Sequence, residues 1–187
     1  MTIRKLIPSE AAQLREHLSR LTSEERSLRF MGALNDVAVE EHCERINWFQ
    51  SLVIGFFDSG VLRGAAELQR ADQRFPFLCE VAISVETPWQ DQGIATELLR
   101  RVLVIARNRG ARALQLNCFA DNYRMQHVAQ KFGARFHSRA GVSEGQIPTP
   151  APTCSSLLQE MIDDAFGWVA AAIDGAARPA PAHVSPS

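Results

Sequence analysis

The stretch that most constrains this chain runs from Glu80 to Thr96. The run Phe77 to Val85 reads as a strand, closed by Thr87-Pro88, because proline cannot donate to a ladder. A helix is predicted from Ile94 to Arg109, with Ile94, Leu98, Val102, Ile105 and Ala106 spaced for burial and Gly110 placed as its stop. The junction carries small residues at Gly93 and Ala95. Successive amide N–H groups there have no intrahelical partner, and with the helix dipole they form an anion site suited to a phosphate or pyrophosphate. No Gly-Lys-Ser/Thr follows, so this is not a P-loop. Gly93 and Ala95 alone do not make G-x-G-x-x-G, so it is not a dinucleotide fingerprint either.

The rest of the chain repeats the alternation of strand and helix. Thr2 to Leu6 reads as a strand, followed by a helix with Ala11, Leu14, Leu18 and Leu21 at helical spacing. Thr22 and Glu25 form a capping box for a second helix through Arg29, and Asn35-Asp36 caps a third with Val39, Cys43 and Ile46 on one face. Leu52 to Phe57 and Val61 to Gln69 form a hairpin. Ala113 to Cys118 is another strand, and Asp121 or Asn122 caps a helix to Phe132 that Gly133 ends. Arg135 to Ser138 is a short strand. Gly141 to Pro152, rich in Gly, Pro, Ser and Thr, reads as a loop. A last helix, about Cys154 to Gly175, carries a wide apolar face that includes Leu157, Met161, Phe166, Val169 and Ile173. That face must pack on the chain's own sheet or on a second subunit. The fold class is mixed α/β.

Composition narrows the function. The 187 residues are 46% hydrophobic and 22% charged, as in globular proteins, and suit one domain with an appendage. A net charge of −1 gives no global pull toward a polyanion, so nucleic acid is not an expected partner. Met1 to Pro8 lacks the apolar run of a signal peptide. No stretch approaches the roughly 18 apolar residues of a membrane span, so a cytoplasmic protein is expected. Cys43, Cys79, Cys118 and Cys154 spell neither a zinc site nor a dithiol motif. Glu41, His42 and Glu44 read as solvated helix surface, and no metal is expected. Cys118 reads as a small core residue, and Arg26, Arg29 and His127 as exposed helix residues.

Gln90-x-x-Gly93-x-Ala95 resembles the Q/R-x-x-G-x-G/A loop of the GNAT superfamily of acyl-CoA-dependent N-acyltransferases. Asn122-x-x-Met125 through Lys131-x-Gly133 is similar to that superfamily's N-x-x-A-x-x-x-Y-x-x-x-G helix, in the same order and spacing. The resemblance is strong over Phe77 to Phe136, extends to Thr2, and stops at Gly141. Leu18 to Thr22 with Leu28-Arg29-Phe30 also resembles the start of GNAT domains in bacterial protein-lysine acetyltransferases. The resemblance implies a mixed, twisted sheet splayed at its centre and flanked by helices, here with an extra C-terminal helix. On it, residues 1–140 are the acetyltransferase domain. Residues 141–177 are a loop and an apolar helix on that domain or on a partner, and 178–187 are a disordered tail.

The resemblance further implies acetyl-CoA as cosubstrate. Its pyrophosphate would lie on the loop Gln90, Asp91, Gln92, Gly93, Ile94, Ala95 and Thr96. Its pantetheine would lie along Ile83, Ser84 and Val85, with Asn122 near the thiol end. Glu80 is the candidate general base. It stands six residues before Glu86, about 20 Å back along an extended strand, comparable to a pantetheine arm. A semi-buried carboxylate of raised pKa there would strip the proton from an amine. The family's acid tyrosine falls at Ala129, and Tyr123 is six residues too early to replace it. The expected activity is direct acetyl transfer to an amine. The alternatives are a protein-lysine acetyltransferase and a non-catalytic acetyl-CoA-binding regulatory protein. A homodimer through the C-terminal helix is also expected.

Overall fold

The computed structural model describes residues 1–177, and the tail expected from Arg178 lies outside the described residues. One seven-stranded sheet contains β1 (Thr2–Lys5), β2 (Leu52–Asp58), β3 (Val61–Arg70), β4 (Leu78–Val85), β5 (Ala113–Phe119), β6 (Arg135–Arg139) and β7 (Val142–Pro148). Their spatial order is β1-β2-β3-β4-β5-β7-β6. Every neighbouring pair is antiparallel except β4 and β5, which are parallel. Parallel neighbours need a crossover, and α4 (Ile94–Asn108) supplies it.

Helices cover both faces. Leu14 and Leu18 of α1 (Ala11–Arg20) and Val39 of α3 (Asp36–Glu44) pack with Val53 and Phe57 of β2. Leu98, Leu99 and Val102 of α4 pack with Ile54 and Phe56 of the same strand. Burial on both faces explains why β2 reads as a continuous apolar run rather than an alternating one. Between α1 and α3 lies α2 (Ser23–Phe30), and α5 (Tyr123–Gln130) follows β5. The capping box of α2 forms as expected, with Thr22 accepting from the Glu25 amide and Glu25 accepting from the Thr22 amide.

The sheet opens at its middle. β4 and β5 pair only over Leu78 to Glu80 against Ala113 to Gln115. Beyond Glu80, β4 keeps its ladder with β3 alone, and beyond Gln115, β5 keeps its ladder with β7 alone. The two halves diverge from Val81 onward, as the expected splay requires.

The segment read as a loop, Gly141 to Pro152, is in part a strand. β7 inserts between β5 and β6 over Val142–Pro148. Its inward positions are Ser143, Gly145 and Ile147, so a polar and a small residue conceal the period of two that marks a half-buried strand. Gly145 is small because the Phe136 ring occupies the space a Cβ would take.

The C-terminal helix, α6 (Cys154–Ala177), packs against β1 and α4, but with the face opposite to the one expected. Ser156, Glu160, Asp163, Asp164 and Gly167 turn inward. Lys5 Nζ binds Glu160 at 2.8 Å and Asp164 at 2.7 Å, Arg100 binds Asp163 at 3.0 Å, and Asn108 donates to Glu160 at 2.8 Å. At Gly167 a Cβ would lie 2.8 Å from that of Arg4, so only glycine lets the helix approach so closely. The apolar residues Leu157, Leu158, Met161, Ile162, Phe166, Trp168, Val169 and Ile173 are exposed. They do not cover the chain's own sheet.

Candidate active site

Alternation decides which groups of β4 face the gap. The Glu86 amide donates to Arg63 O and the Ala71 amide to Leu78 O, so even-numbered residues of β4 spend their backbone groups on β3. Val81, Ile83 and Val85 therefore turn their N–H and C=O groups toward the opening. Gln90 Nε2 takes the Val85 carbonyl at 2.8 Å. What is left is a strand edge bearing amide donors at Ile83 and Val85 and an acceptor at Ile83, matching the amides of an extended pantetheine arm.

At the end of this edge the chain reaches Gly93, the N-cap of α4, at φ 81° with no side-chain cap. This left-handed backbone suits glycine, and the space where a Cβ would project is open. The first main-chain bond of the helix runs from the Glu97 amide to Gly93 O. The amides of Ile94, Ala95 and Thr96 are thus left pointing out of the helix N-terminus, as pyrophosphate binding demands.

Strand edge and helix N-terminus line one cleft of about 370 Å³. Its walls include Leu21, Glu25 and Leu28 from the α1–α2 corner, Asn117 and Cys118 from β5, and Asn122, Arg124, His127 and Lys131 around α5. Arg124 on α5 and Lys131 just after it add positive charge to the cleft. Asn122 also caps α5, its Oδ1 accepting from the Met125 amide at 3.1 Å. Burial pushes the Cys118 thiol up, keeping it protonated and a poor nucleophile. This open edge, the uncapped helix and the cation-bearing wall fit acetyl-CoA. Among the described residues no group of three His, Cys, Asp or Glu side chains could hold a metal ion.

Glu80 sits where the two strands part and accepts a 3.0 Å hydrogen bond from Asn117 Nδ2 across the junction. It is exposed rather than semi-buried, because its side chain leaves the sheet on the face where Ala82 is its small neighbour. Neighbouring Val81 and Asn117 line the cleft, and Glu80 stands just outside their ring.

The other carboxylates near β4 are tied up. Burial would raise Glu67, but Arg29 and His42 hold it at about 2. Burial also works against the charge on Glu86, yet hydrogen bonds from His17, Arg63 and Arg20 keep it below the usual carboxylate range. Glu25 is likewise lowered, by Thr87 and the Thr22 amide. Arg29, expected on the surface, is therefore a buried partner, and His42 serves Glu67 rather than a solvated face.

His17 was the main omission. It is fully buried, with Nδ1 3.1 Å from Glu86 and Nε2 2.9 Å from Ser84 Oγ. Since an ionised carboxylate only accepts, Nδ1 is the donor. Ser84 lines the cleft with its backbone committed to β3 and its hydroxyl to His17. A histidine between Leu14, Leu18 and Leu21 was the available signal, because a titratable residue on a core stripe needs buried partners.

This architecture, a splayed sheet with an anion-binding helix at the parting strands, is that of an acyl-CoA-dependent acyltransferase. The family model of the GNAT acetyltransferases matches residues 13–134, and the chain belongs to that family. Its structure is similar to the GNAT domain of S. lividans PAT, with TM-score 0.67 and 20% identity, covering 78% of this chain and 89% of that one. It is also similar to a Salmonella typhimurium protein solved with its cofactor acetyl-CoA (TM-score 0.62, 16% identity, covering 82% and 98%). A third likeness is to ribosomal-protein-alanine N-acetyltransferase from Brucella melitensis (TM-score 0.58, 15% identity, covering 78% and 97%). The protein is an acetyltransferase that uses acetyl-CoA.

Proposed function

We propose that this enzyme transfers the acetyl group directly to an amine, with Glu80 as general base. The observation that carries the reading is the cleft joining the uncapped N-terminal end of α4 to the open edge of β4, with Glu80 beside its far end. Bound acetyl-CoA supplies the thioester. Ile94, Ala95 and Thr96 would hold its pyrophosphate through their amides, within the loop that begins at Gln90, Asp91, Gln92 and Gly93. Ile83 and Val85 would pair with the pantetheine, next to Ser84 and Asn122.

Glu80 is suited to the base role because it pairs with a neutral amide and, among the described residues, with no cation. Glu25, Glu67 and Glu86, by contrast, are already committed to Thr87, Arg29 and Arg20. Glu80 takes the amine's proton through a water, and a backbone N–H of Ile83 or Val85 receives the developing oxyanion. The thiolate leaves without a protein acid. Ala129, at the family's tyrosine position, is buried, the Ser84 hydroxyl is engaged by His17, and thiol acidity tolerates unassisted departure.

The acceptor is a small amine or a protein lysine, and the resemblance of Leu18 to Thr22 and Leu28-Arg29-Phe30 to protein-lysine acetyltransferases is what supports the lysine. Ala129 favours one second reading, an acetyl-CoA-binding regulator without turnover. We place the protein in the cytoplasm, since all four cysteines are free. The same reading has the chain working as a homodimer joined at α6.

Thiol release from acetyl-CoA, followed over a panel of amines and lysine peptides, tests this. Turnover is expected with at least one acceptor, and Glu80→Gln should lower kcat by about 10²- to 10⁴-fold. Unchanged turnover in that variant removes Glu80 from the mechanism. Tight acetyl-CoA binding without thiol release across the panel supports the regulator instead.

A further inference from the structure

An amphipathic helix on a protein surface ordinarily buries its apolar stripe and shows its charges to water. α6 does the reverse. At 100° per residue, Ser156, Gln159, Glu160, Asp163, Asp164, Gly167, Ala170 and Ala171 fall on one half of the helix, and these are its buried or half-buried positions. Through Ile173 the other half is apolar apart from Ser155. Eight large side chains on it are each 42% to 70% exposed.

The inversion is fixed by specific pairing, not by loose packing. Three carboxylates and Ser156 meet Lys5, Arg100 and Asn108, so rolling the helix to bury its apolar side would break every one of these bonds. An apolar face held outward in this way needs a partner of its own.

We propose that the partner is a second copy of this chain, with the two α6 helices packed antiparallel about a twofold axis at Ala165. This deepens the homodimer reading and does not depend on acetyl transfer. Three observations select this occupant. Leu158, Ile162, Ala165, Val169 and Ala172 recur at spacings of four and three residues, the seam of a two-helix contact. The seam is also centred on a small residue. An axis at Ala165 sets Leu158 against Ala172, large against small, while the small Ala165 faces itself and lets the helices approach. Finally, the eight exposed side chains present on the order of 1,000 Å² per copy, against about 800 Å² per partner in a standard interface.

Charge argues against the competing occupant, a membrane surface. Interfacial helices carry Lys and Arg beside the apolar face, whereas α6 contains no basic residue and its described acids are engaged inward. No helix among the described residues is long and apolar enough to cross a membrane.

The test uses the full chain. Sedimentation velocity at micromolar concentration should show a dimer. The double variant Val169→Glu with Leu158→Glu should raise its dissociation constant by at least about a hundredfold, because the twofold enters each new charge twice. Circular dichroism and acetyl-CoA binding should not change. In a Cys154→Ser background, which removes the exposed native thiol, Ala165→Cys should oxidise to a covalent dimer. Ser155→Cys, at the start of the helix and away from the axis, should not. A monomeric parent overturns the proposal, as does a dimer that survives the double substitution or fails to cross-link at 165. Sedimentation of a monomeric parent with phosphatidylcholine–phosphatidylglycerol vesicles would assign the face to lipid instead. Loss of catalysis alone bears only on the acetyl-transfer reading.

Discussion

Glu67 lies at 3% exposure on β3, charged, between Arg29 and His42. Burial opposes its ionisation, but the Arg29 charge and the two hydrogen bonds outweigh it and set the carboxyl at about 2 against an ordinary 4.5. A carboxyl whose folded value is depressed stabilises the fold above its unfolded value and loses that contribution as pH falls through the folded one. The stabilisation is therefore complete above about pH 5 and lost between there and pH 2. Glu67→Gln leaves Arg29 buried without a counter-charge and should cost about 3–5 kcal/mol at neutral pH. Urea unfolding at pH 7 and pH 3 checks both parts. The variant's midpoint should be lower at pH 7 and should fall less on acidification than the parent's. An identical acid slope would mean that another carboxylate governs acid unfolding. None of this pairing was legible in the sequence. Arg29 read as a surface arginine because α2 carries its charges all round, and only the approach of β3 makes one of them internal.

Among elements, the short α2 matters beyond its size. Glu25 completes its capping box and also accepts from Thr87 Oγ1 at 2.7 Å and Gln90 Nε2 at 3.2 Å. One side chain thus ties the start of α2 to the loop proposed to hold the phosphate. Glu25→Ala should destabilise the protein by about 1 kcal/mol through the lost cap. It should also raise KM for acetyl-CoA by roughly two- to tenfold, with kcat little altered, as expected for one or two lost hydrogen bonds that position a loop. A thermal melt and steady-state kinetics would separate the two effects, and an unchanged KM would show that the loop holds its shape without α2. The cap itself was readable, since Thr22 and Glu25 are local in sequence. Its second role was not, because Thr87 and Gln90 lie 62 and 65 residues away. The same division runs through the fold. Strands and helices with a regular apolar period were placed correctly, and so was the uncapped start of α4. β7 was missed because Ser143 and Gly145 face inward, and α6 was found but turned the wrong way, because its orientation is set by Lys5, Arg100 and Asn108 on distant elements.

Across the whole molecule, the sheet is two ladders joined over the short stretch from Leu78 to Glu80, with the Asn117–Glu80 hydrogen bond spanning the point where they part. A ligand lying along Ile83 and Val85 while touching Cys118 and α5 bridges these halves, so its binding free energy adds to the cohesion of the fold. At acetyl-CoA concentrations about 100 times the dissociation constant, mass action gives about 2.7 kcal/mol. For a chain of this size that corresponds to a rise in Tm of roughly 5–10 °C. The prediction has a spatial signature too. Amides of Ile83, Val85 and Ile94 to Thr96 should gain protection from hydrogen exchange, while those of β2, already paired with β1 on one side and β3 on the other, should change little. Pantetheine, which lacks the pyrophosphate, should protect Ile83 and Val85 but not Ile94 to Thr96, and should raise Tm less. Equal shifts from the two compounds at matched concentration, with the α4 amides unprotected in both, would show that the helix N-terminus does not hold the phosphate. The pyrophosphate would then have to rest on Arg124 and Lys131, and Arg124→Ala would become the variant that abolishes the difference between the two ligands.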